Sequence, residues 1–295
     1  MFKKIDKKRP ELQTIRQFRS RIHTYIKNKY KIQKLKQGQA HTFTGNPASN
    51  LLVSLTSFPA RIDNVWATIE TIFQQDYKPW KVILVLAEEE FPEKNLPHEL
   101  IKQTDYGLEI LWTAKNTRSF NKLLPTRELY PDAIIVTIDD DIFYEPWRLS
   151  QLVEASKQYP NAIIGHRGRE VKVSGKGLDT YSSWTAAGPQ TLSNRIFLTG
   201  VGGILYPPHI LDETLLMDRD KALKLCPTAD DVWFWAVELS SNIPRFCLGN
   251  HGNFEMSSQI ATPALKNVNC AEGQNDVQIH NTLDALELWD TLMRN

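Results

Sequence analysis

The chain has 295 residues, 41% of them hydrophobic and 23% charged, with 35 Lys and Arg against 34 Asp and Glu. That length can bury a full core in one large domain or one domain plus an appendage, and the composition is that of a globular chain, which excludes a disordered or fibrous one. No apolar run approaches the roughly 18 residues that span a bilayer and the N-terminus lacks the apolar centre of a signal peptide, so the expectation is a cytoplasmic protein.

In chain order, the first element is a basic arm. Residues 1–36 hold 13 of the Lys and Arg and only Asp6 and Glu11 among acids, a net of +11, which leaves 22 basic against 32 acidic residues, or −10, for the rest. Leu12, Ile15, Phe18, Ile22 and Ile26 recur at helical spacing, with Arg16, Arg19, Arg21, Lys27 and Lys29 largely around the other sides. Such a helix fits an anionic membrane surface, where each basic residue contributes on the order of 1 kcal/mol, and it would hold the chain at the inner face of the cell membrane. The competing reading is a helix that packs on the body and merely solvates its charged face. Nucleic acid is disfavoured, since the remainder is acidic and shows no aromatic–basic binding motif. Arm and linker are assigned to residues 1–45 and the body to 46–295, with a polar, Gly-containing stretch around Gln37 to Asn50 at the junction.

The body opens with the apolar run Leu51 to Thr56, stopped by Ser57-Phe58-Pro59. A helix follows, capped by Asp63 or Asn64, with Val65, Ile69, Ile72 and Phe73 on one stripe and Pro79 beyond its end. Val82 to Leu86 and Leu108 to Trp112 read as the second and third strands, a helix is expected around Lys115 to Leu124, and Ile134 to Ile138 is the fourth strand. Strands alternating with helices predict parallel βαβ units and a sheet covered on both faces. A helix around Trp147 to Gln158, the run Ala162 to Gly165, a Gly-rich segment from Phe197 to Pro208, and a helix beginning just after Asp230 and Asp231 complete the body. Neither GxGxxG after the first strand nor GxxxxGK[ST] occurs, so no dinucleotide fingerprint or P-loop is present. Cys226, Cys247 and Cys270 lack CxxC spacing and indicate neither a disulfide framework nor a zinc site.

The fourth strand runs directly into Asp139-Asp140-Asp141. In extended backbone Asp139 and Asp141 share one face, and a divalent cation is the usual reason to hold two carboxylates at a strand end where open α/β sheets bind ligands. The bland reading is a solvated strand end or an N-cap. A second acidic pair, Asp230-Asp231, weighs against it.

These residues resemble a GT-A glycosyltransferase of the family-2-like group that builds bacterial capsule or lipopolysaccharide glycans. The resemblance covers roughly Leu51 to Leu239 and rests on Thr56-Ser57-Phe58-Pro59-Ala60-Arg61, Gln74-Gln75-Asp76, TIDDDIFY at 137–144, GVGGILYPP at 200–208 and TADDVWFW at 228–235. It implies a Rossmann-like α/β fold, a nucleotide-diphosphate sugar donor, with uracil by class frequency, Mn²⁺ or Mg²⁺, and a glycan or lipid-linked acceptor. It also implies Asp141 in direct metal contact, Asp139 near the ribose or sharing the metal, Asp140 supporting the turn, and a third ligand from the C-terminal part, with His280 preferred over His251. In inverting members the base is an acid just before a helix, which selects Asp231, with Asp230 orienting the acceptor.

On their own chemistry, Lys122 could meet a diphosphate as a point charge or be a solvated helix lysine. Arg61 with Thr56 and Ser57 could serve near base or diphosphate, or be a surface group. Phe58 could pack near a nucleobase or plug a core edge. Glycines 200, 202 and 203 allow close backbone approach to a sugar or form only a bulge. Trp233 and Trp235 could wall a sugar, although helical spacing sends them to different sides. A retaining transferase, a non-catalytic nucleotide- or glycan-binding module of the same fold and, with a poorer fit, a metal phosphohydrolase are the alternatives.

Overall fold

The computed structural model describes residues 26–37, 43, 45–175, 177–249, 255–256, 269 and 273–294. Four strands, β1 (Leu51–Thr56), β2 (Lys81–Ala87), β3 (Leu108–Thr113) and β4 (Ile134–Thr137), form the parallel half of an eight-stranded sheet in the order β4-β1-β2-β3. The apolar runs of β1, β2 and β4 are largely buried on both faces, as covered parallel strands require, while β3, at the sheet edge, is buried only at Leu108 and half-buried elsewhere. Leu52, Ile83, Val85 and Ile135 enter one core, while Leu51, Val53, Leu55, Val82, Leu84 and Val136 enter the other. The protein is therefore a mixed α/β fold, with a central, largely parallel sheet between two apolar layers.

The chain moves outward from β1 to β2 and β3, then returns to place β4 on the other side of β1. That reversal makes the carboxyl ends of β1 and β4 a topological switch point, where open α/β sheets leave a crevice. Ser54 pairs with Thr137 across it, and the Ile138 N–H donates to the Ser54 carbonyl at 3.0 Å.

Beyond β4 the expected run of parallel units gives way to mixed pairing. Strand Ile204–Tyr206 lies antiparallel to both β4 and Ile163–Gly165, and Arg245–Cys247 then pairs parallel with Ile163–Gly165. The reason is the connection: between Gly165 and Ile204 the chain makes a small antiparallel sheet of Gly168–Glu170, Thr185–Ala186 and Ile196–Leu198 in place of a crossover helix.

Local differences from the sequence reading have local causes. The first helix begins at Ile62, before either expected cap, because the N–H groups of Arg61 and Ile62 donate to the Phe58 carbonyl and close the turn early. The segment 115–124 forms only a 3₁₀ turn, Arg118–Lys122, and an α-helix starts at Leu124 with Pro125 in its first turn. Both Trp233 and Trp235 are core residues: the Asp230–Ser240 helix is covered all round, which rules out a sugar-stacking wall. Part of the presumed linker packs on the body, with Phe43 against Phe73 at 4.6 Å.

Candidate active site

At the end of β4 the backbone leaves the strand at Ile138 and turns at Asp140 and Asp141, so strict alternation is broken. Asp140 points inward. Its carboxylate accepts from Ser57 Oγ at 2.6 Å and Arg61 Nη1 at 2.7 Å, and Thr68 Oγ1 donates to its carbonyl at 2.9 Å. The same guanidinium reaches Asp141 Oδ2 at 3.0 Å. Asp140 thus supports the turn, as the resemblance implies, and Ser57 and Arg61 hold these carboxylates. Thr56 spends its hydroxyl on the Val85 carbonyl at 2.8 Å, and Phe58 lies 5.4 Å under the Arg61 guanidinium.

Burial and the charge of Asp139 push the Asp141 carboxyl up to about 7 despite Arg61. Asp139 is the open member of the three, its side chain 33% exposed. Its N–H donates at 3.0 Å to the Tyr144 hydroxyl, which in turn donates to the Val201 carbonyl at 3.4 Å, tying the aspartate turn to the glycine segment. The aromatic residue that ends TIDDDIFY therefore positions the site.

A second group converges from four separate segments. Lys122 is buried and lies 2.8 Å from Asp230 Oδ2 and 3.5 Å from Asp139 Oδ1, so it is not a solvated helix lysine. Burial opposes its charge, but Asp230, Asp139 and Asp231 outweigh that and raise its pKa. Gly200 is the floor. A Cβ built there would stand 2.8 Å from Lys122 Nζ, 3.2 Å from Asp139 Oδ1 and 3.5 Å from Asp231 Oδ1, so all three atoms face one small space that only glycine leaves open. Gly202 and Gly203 are buried beside it, and Gly203, at φ +87°, turns the chain into strand Ile204–Tyr206 without touching the acids.

Asp231 sits in the first turn of its helix, not before it. Its Oδ2 accepts a 3.4 Å bond from the Gly200 N–H, and its Oδ1 is buried with no hydrogen-bond partner. A helix N-terminus and Lys122 favour the carboxylate, yet burial and neighbouring Asp230 prevail and lift Asp231 to about 7. An unpaired buried carboxylate oxygen costs stability; Glu238 Oε2 on the same helix also has no hydrogen-bond partner, but Asp231 Oδ1 differs in facing the space over Gly200 shared with Lys122 and Asp139. Gln278 holds the approach to this helix by accepting from the N–H groups of Thr228 and Ala229 at 3.0 and 3.1 Å. Nothing in the local sequence marks Gln278.

His280 does not join the aspartates. Its helix, Gln274–Ala285, buries Asn275, Gln278, Ile279, Thr282 and Leu283, which turns position 280 outward, where its ring meets Trp289 at 5.2 Å. His251 lies outside the described residues. Among the described residues no three His, Cys, Asp or Glu side chains form a metal-holding group. A hard cation such as Mn²⁺ or Mg²⁺ can be held by one or two carboxylates with phosphate oxygens and water completing its shell; Asp139, the most open carboxylate of the three, and Asp141, whose Oδ2 already meets Arg61, would be the residues to hold it.

No protein-family model and no curated protein matches the chain. Among solved structures it is similar to a CMP:2-keto-3-deoxy-manno-octonic acid synthetase complexed with CTP, at 11% identity and a TM-score of 0.42 over 76% of this chain and 98% of that one. It is also similar to the mannosyltransferase PcManGT from Pyrobaculum calidifontis in complex with GDP-Man and Mn²⁺, at 14% identity and TM-score 0.32 over 52% of this chain and 44% of that one. A third is HddC from Yersinia pseudotuberculosis, at 10% identity and TM-score 0.35 over 57% and 78%. At these values the likeness assigns no residue a role, and the reading of the site rests on its own geometry.

Proposed function

We propose that the protein is a metal-dependent glycosyltransferase of the GT-A type. It moves a sugar from a nucleotide-diphosphate donor, a UDP-sugar, to a glycan or lipid-linked acceptor in surface polysaccharide or lipopolysaccharide biosynthesis, with inversion. The observation that carries this reading is Asp231 Oδ1, a buried carboxylate oxygen without a partner, facing the same space as Asp139. A non-catalytic module would gain stability by pairing that oxygen.

In this reading the donor lies across the switch point between β1 and β4, with its base toward Thr56 and Phe58 and its diphosphate toward Asp139, Asp141 and the two internal cations, Arg61 and Lys122. A Mn²⁺ or Mg²⁺ held by Asp139 and Asp141 supplies positive charge for the diphosphate leaving group. Asp231 takes the proton of the acceptor hydroxyl as that oxygen forms its bond to the anomeric carbon. The bond from that carbon to the diphosphate oxygen breaks on the opposite face, and its electron pair leaves with the nucleotide. Asp230, fixed by Lys122, orients the acceptor. A base near neutrality suits this work, because proton transfer is most efficient when the pKa lies near the working pH. Gly200, Gly202 and Gly203 let the sugar approach main chain.

Thermal-shift titration with UDP, GDP and CDP and their common sugars, each with Mn²⁺ or with EDTA, tests the reading. A ligand that binds only the folded state at 100 times its Kd adds about 2.7 kcal/mol. One nucleotide should raise Tm in the presence of metal, and Asp139→Asn should abolish the shift. No shift with any nucleotide, or one indifferent to EDTA and to the substitution, contradicts it.

A further inference from the structure

The described part of the basic arm is a helix over residues 26–37, with five lysines and no acid. Its inward side is settled by contacts: Asn28 and Leu35 are buried, Ile32 packs on the core beneath β1 and β2, Lys31 Nζ stands 4.7 Å over the Phe143 ring, and Lys36 lies over Trp66 and pairs with Glu99 at 2.6 Å. The outward side carries Ile26 and Tyr30, one turn apart and 60% and 70% exposed, the two most exposed large apolar side chains among the described residues. Gln33 and Gln37 continue that outward line, with Lys27 and Lys34 along one flank and Lys29 and Lys36 along the other.

Within the described helix, Ile26 and Tyr30 are therefore not what packs on the body. In the sequence, Leu12, Ile15, Phe18 and Ile22 precede Ile26 at helical spacing and in phase with Ile26 and Tyr30, out of phase with Asn28 and Leu35. An exposed apolar ridge flanked by lysines, whose stems can lie along apolar surface, matches a helix lying in a bilayer interface. The charge sign fits as well: residues 1–36 carry a net +11, which an anionic headgroup surface attracts.

We infer that the outward face of this helix, centred on Ile26 and Tyr30, docks on an anionic lipid bilayer. The inward contacts fix the geometry of that docking. Phe143 is two residues past Asp141, and Trp66 belongs to the helix that follows Arg61 and supports Asp140 through Thr68, so the docked helix rests on the two elements that carry the aspartate turn. Docking stands independently of the transferase reading, and its failure would leave that reading untouched.

The test is flotation of the full chain with phosphatidylcholine vesicles and with vesicles containing one quarter phosphatidylglycerol, at low and high salt, for the wild type and for Ile26→Glu/Tyr30→Glu. The wild type should float with the anionic vesicles only, more weakly at high salt. The variant should bind at least about tenfold more weakly, with its Tm and monomeric state unchanged. Wild-type flotation that is absent, or equal with neutral vesicles, overturns the inference. So does a variant that binds as well as the wild type, because lysine charge alone then suffices. A wild-type dimer in light scattering that the variant dissolves also overturns it, by assigning the face to a second copy.

Discussion

The two halves of the acidic centre are built differently. On the β1 side, Asp140 and Asp141 are held by Ser57 and Arg61 from one loop, and every oxygen of Asp140 has a donor. On the other side, Lys122, Asp139, Gly200 and the Asp230–Asp231 pair come from four distant segments, and one carboxylate oxygen is left without a partner. Neither side is fully paired, since Arg61 Nε is also buried without a partner, but on the Arg61 side it is the carboxylate oxygens of Asp140 that are satisfied, and on the Lys122 side a carboxylate oxygen is not. In the proposed reading, Asp140 is held in place on the Arg61 side and proton transfer belongs to the Lys122 side.

The largest effect on stability should come from removing the buried ammonium. Lys122→Met leaves Asp230 without its cation and should cost about 3–5 kcal/mol, whereas Ser57→Ala, which removes one of several donors to Asp140, should cost about 1–3 kcal/mol. Chemical denaturation of both variants checks the ordering, and equal losses would erase the distinction between the two sides. Next comes the floor. Gly200→Ala puts a methyl group 2.8 Å from Lys122 Nζ, so it should destabilise by about 1–3 kcal/mol and also lower turnover, while leaving the Arg61 side intact. A variant that loses stability but keeps full kcat would show that the space over Gly200 is only packing.

A pH-dependent effect separates burial from function on a single helix. Glu238 lies seven residues beyond Asp231, and burial raises it to about 8, although Arg245 stands 3.7 Å away. Arg245 donates to the carbonyls of Ile196, Ile243 and Asn194, so it is well satisfied without Glu238. Between the ordinary carboxylate range and about pH 8 the folded chain keeps a proton on Glu238 that the unfolded chain has lost. The contribution of this group is therefore complete at low pH and is lost as pH rises towards 8. Tm of Glu238→Gln should match the wild type near pH 5 and exceed it near pH 9. An unchanged difference across that range would mean Glu238 stays ionised in the fold.

Much of the fold was legible because its signals are local. The β1 to β4 runs are apolar, bounded by Pro or acidic residues and long enough to read, and the stripe Val65, Ile69, Ile72 and Phe73 is all buried. The two acidic clusters stood out for the same reason, and the structure brings Asp139 and Asp231 to one space over Gly200. What the sequence could not display was pairing across distance: the 108 positions between Lys122 and Asp230, the approach of Gly200 to Asp139, and the service of Gln278 to Thr228. Helical spacing placed at least one of Trp233 and Trp235 in the core, and both are there because neighbouring elements cover this helix all round. His280 misled because a lone histidine carries no sign of which way its helix faces.

The central claim is that Asp231 moves the proton, and Asp231→Asn tests it most directly, since it keeps the shape and the Gly200 bond. With a donor and acceptor that the wild type turns over, the account predicts a loss of about 10²–10⁴-fold in kcat, with donor affinity and Tm preserved. Turnover within a few fold of the wild type, or a loss of donor affinity that accounts for the whole effect, would contradict it.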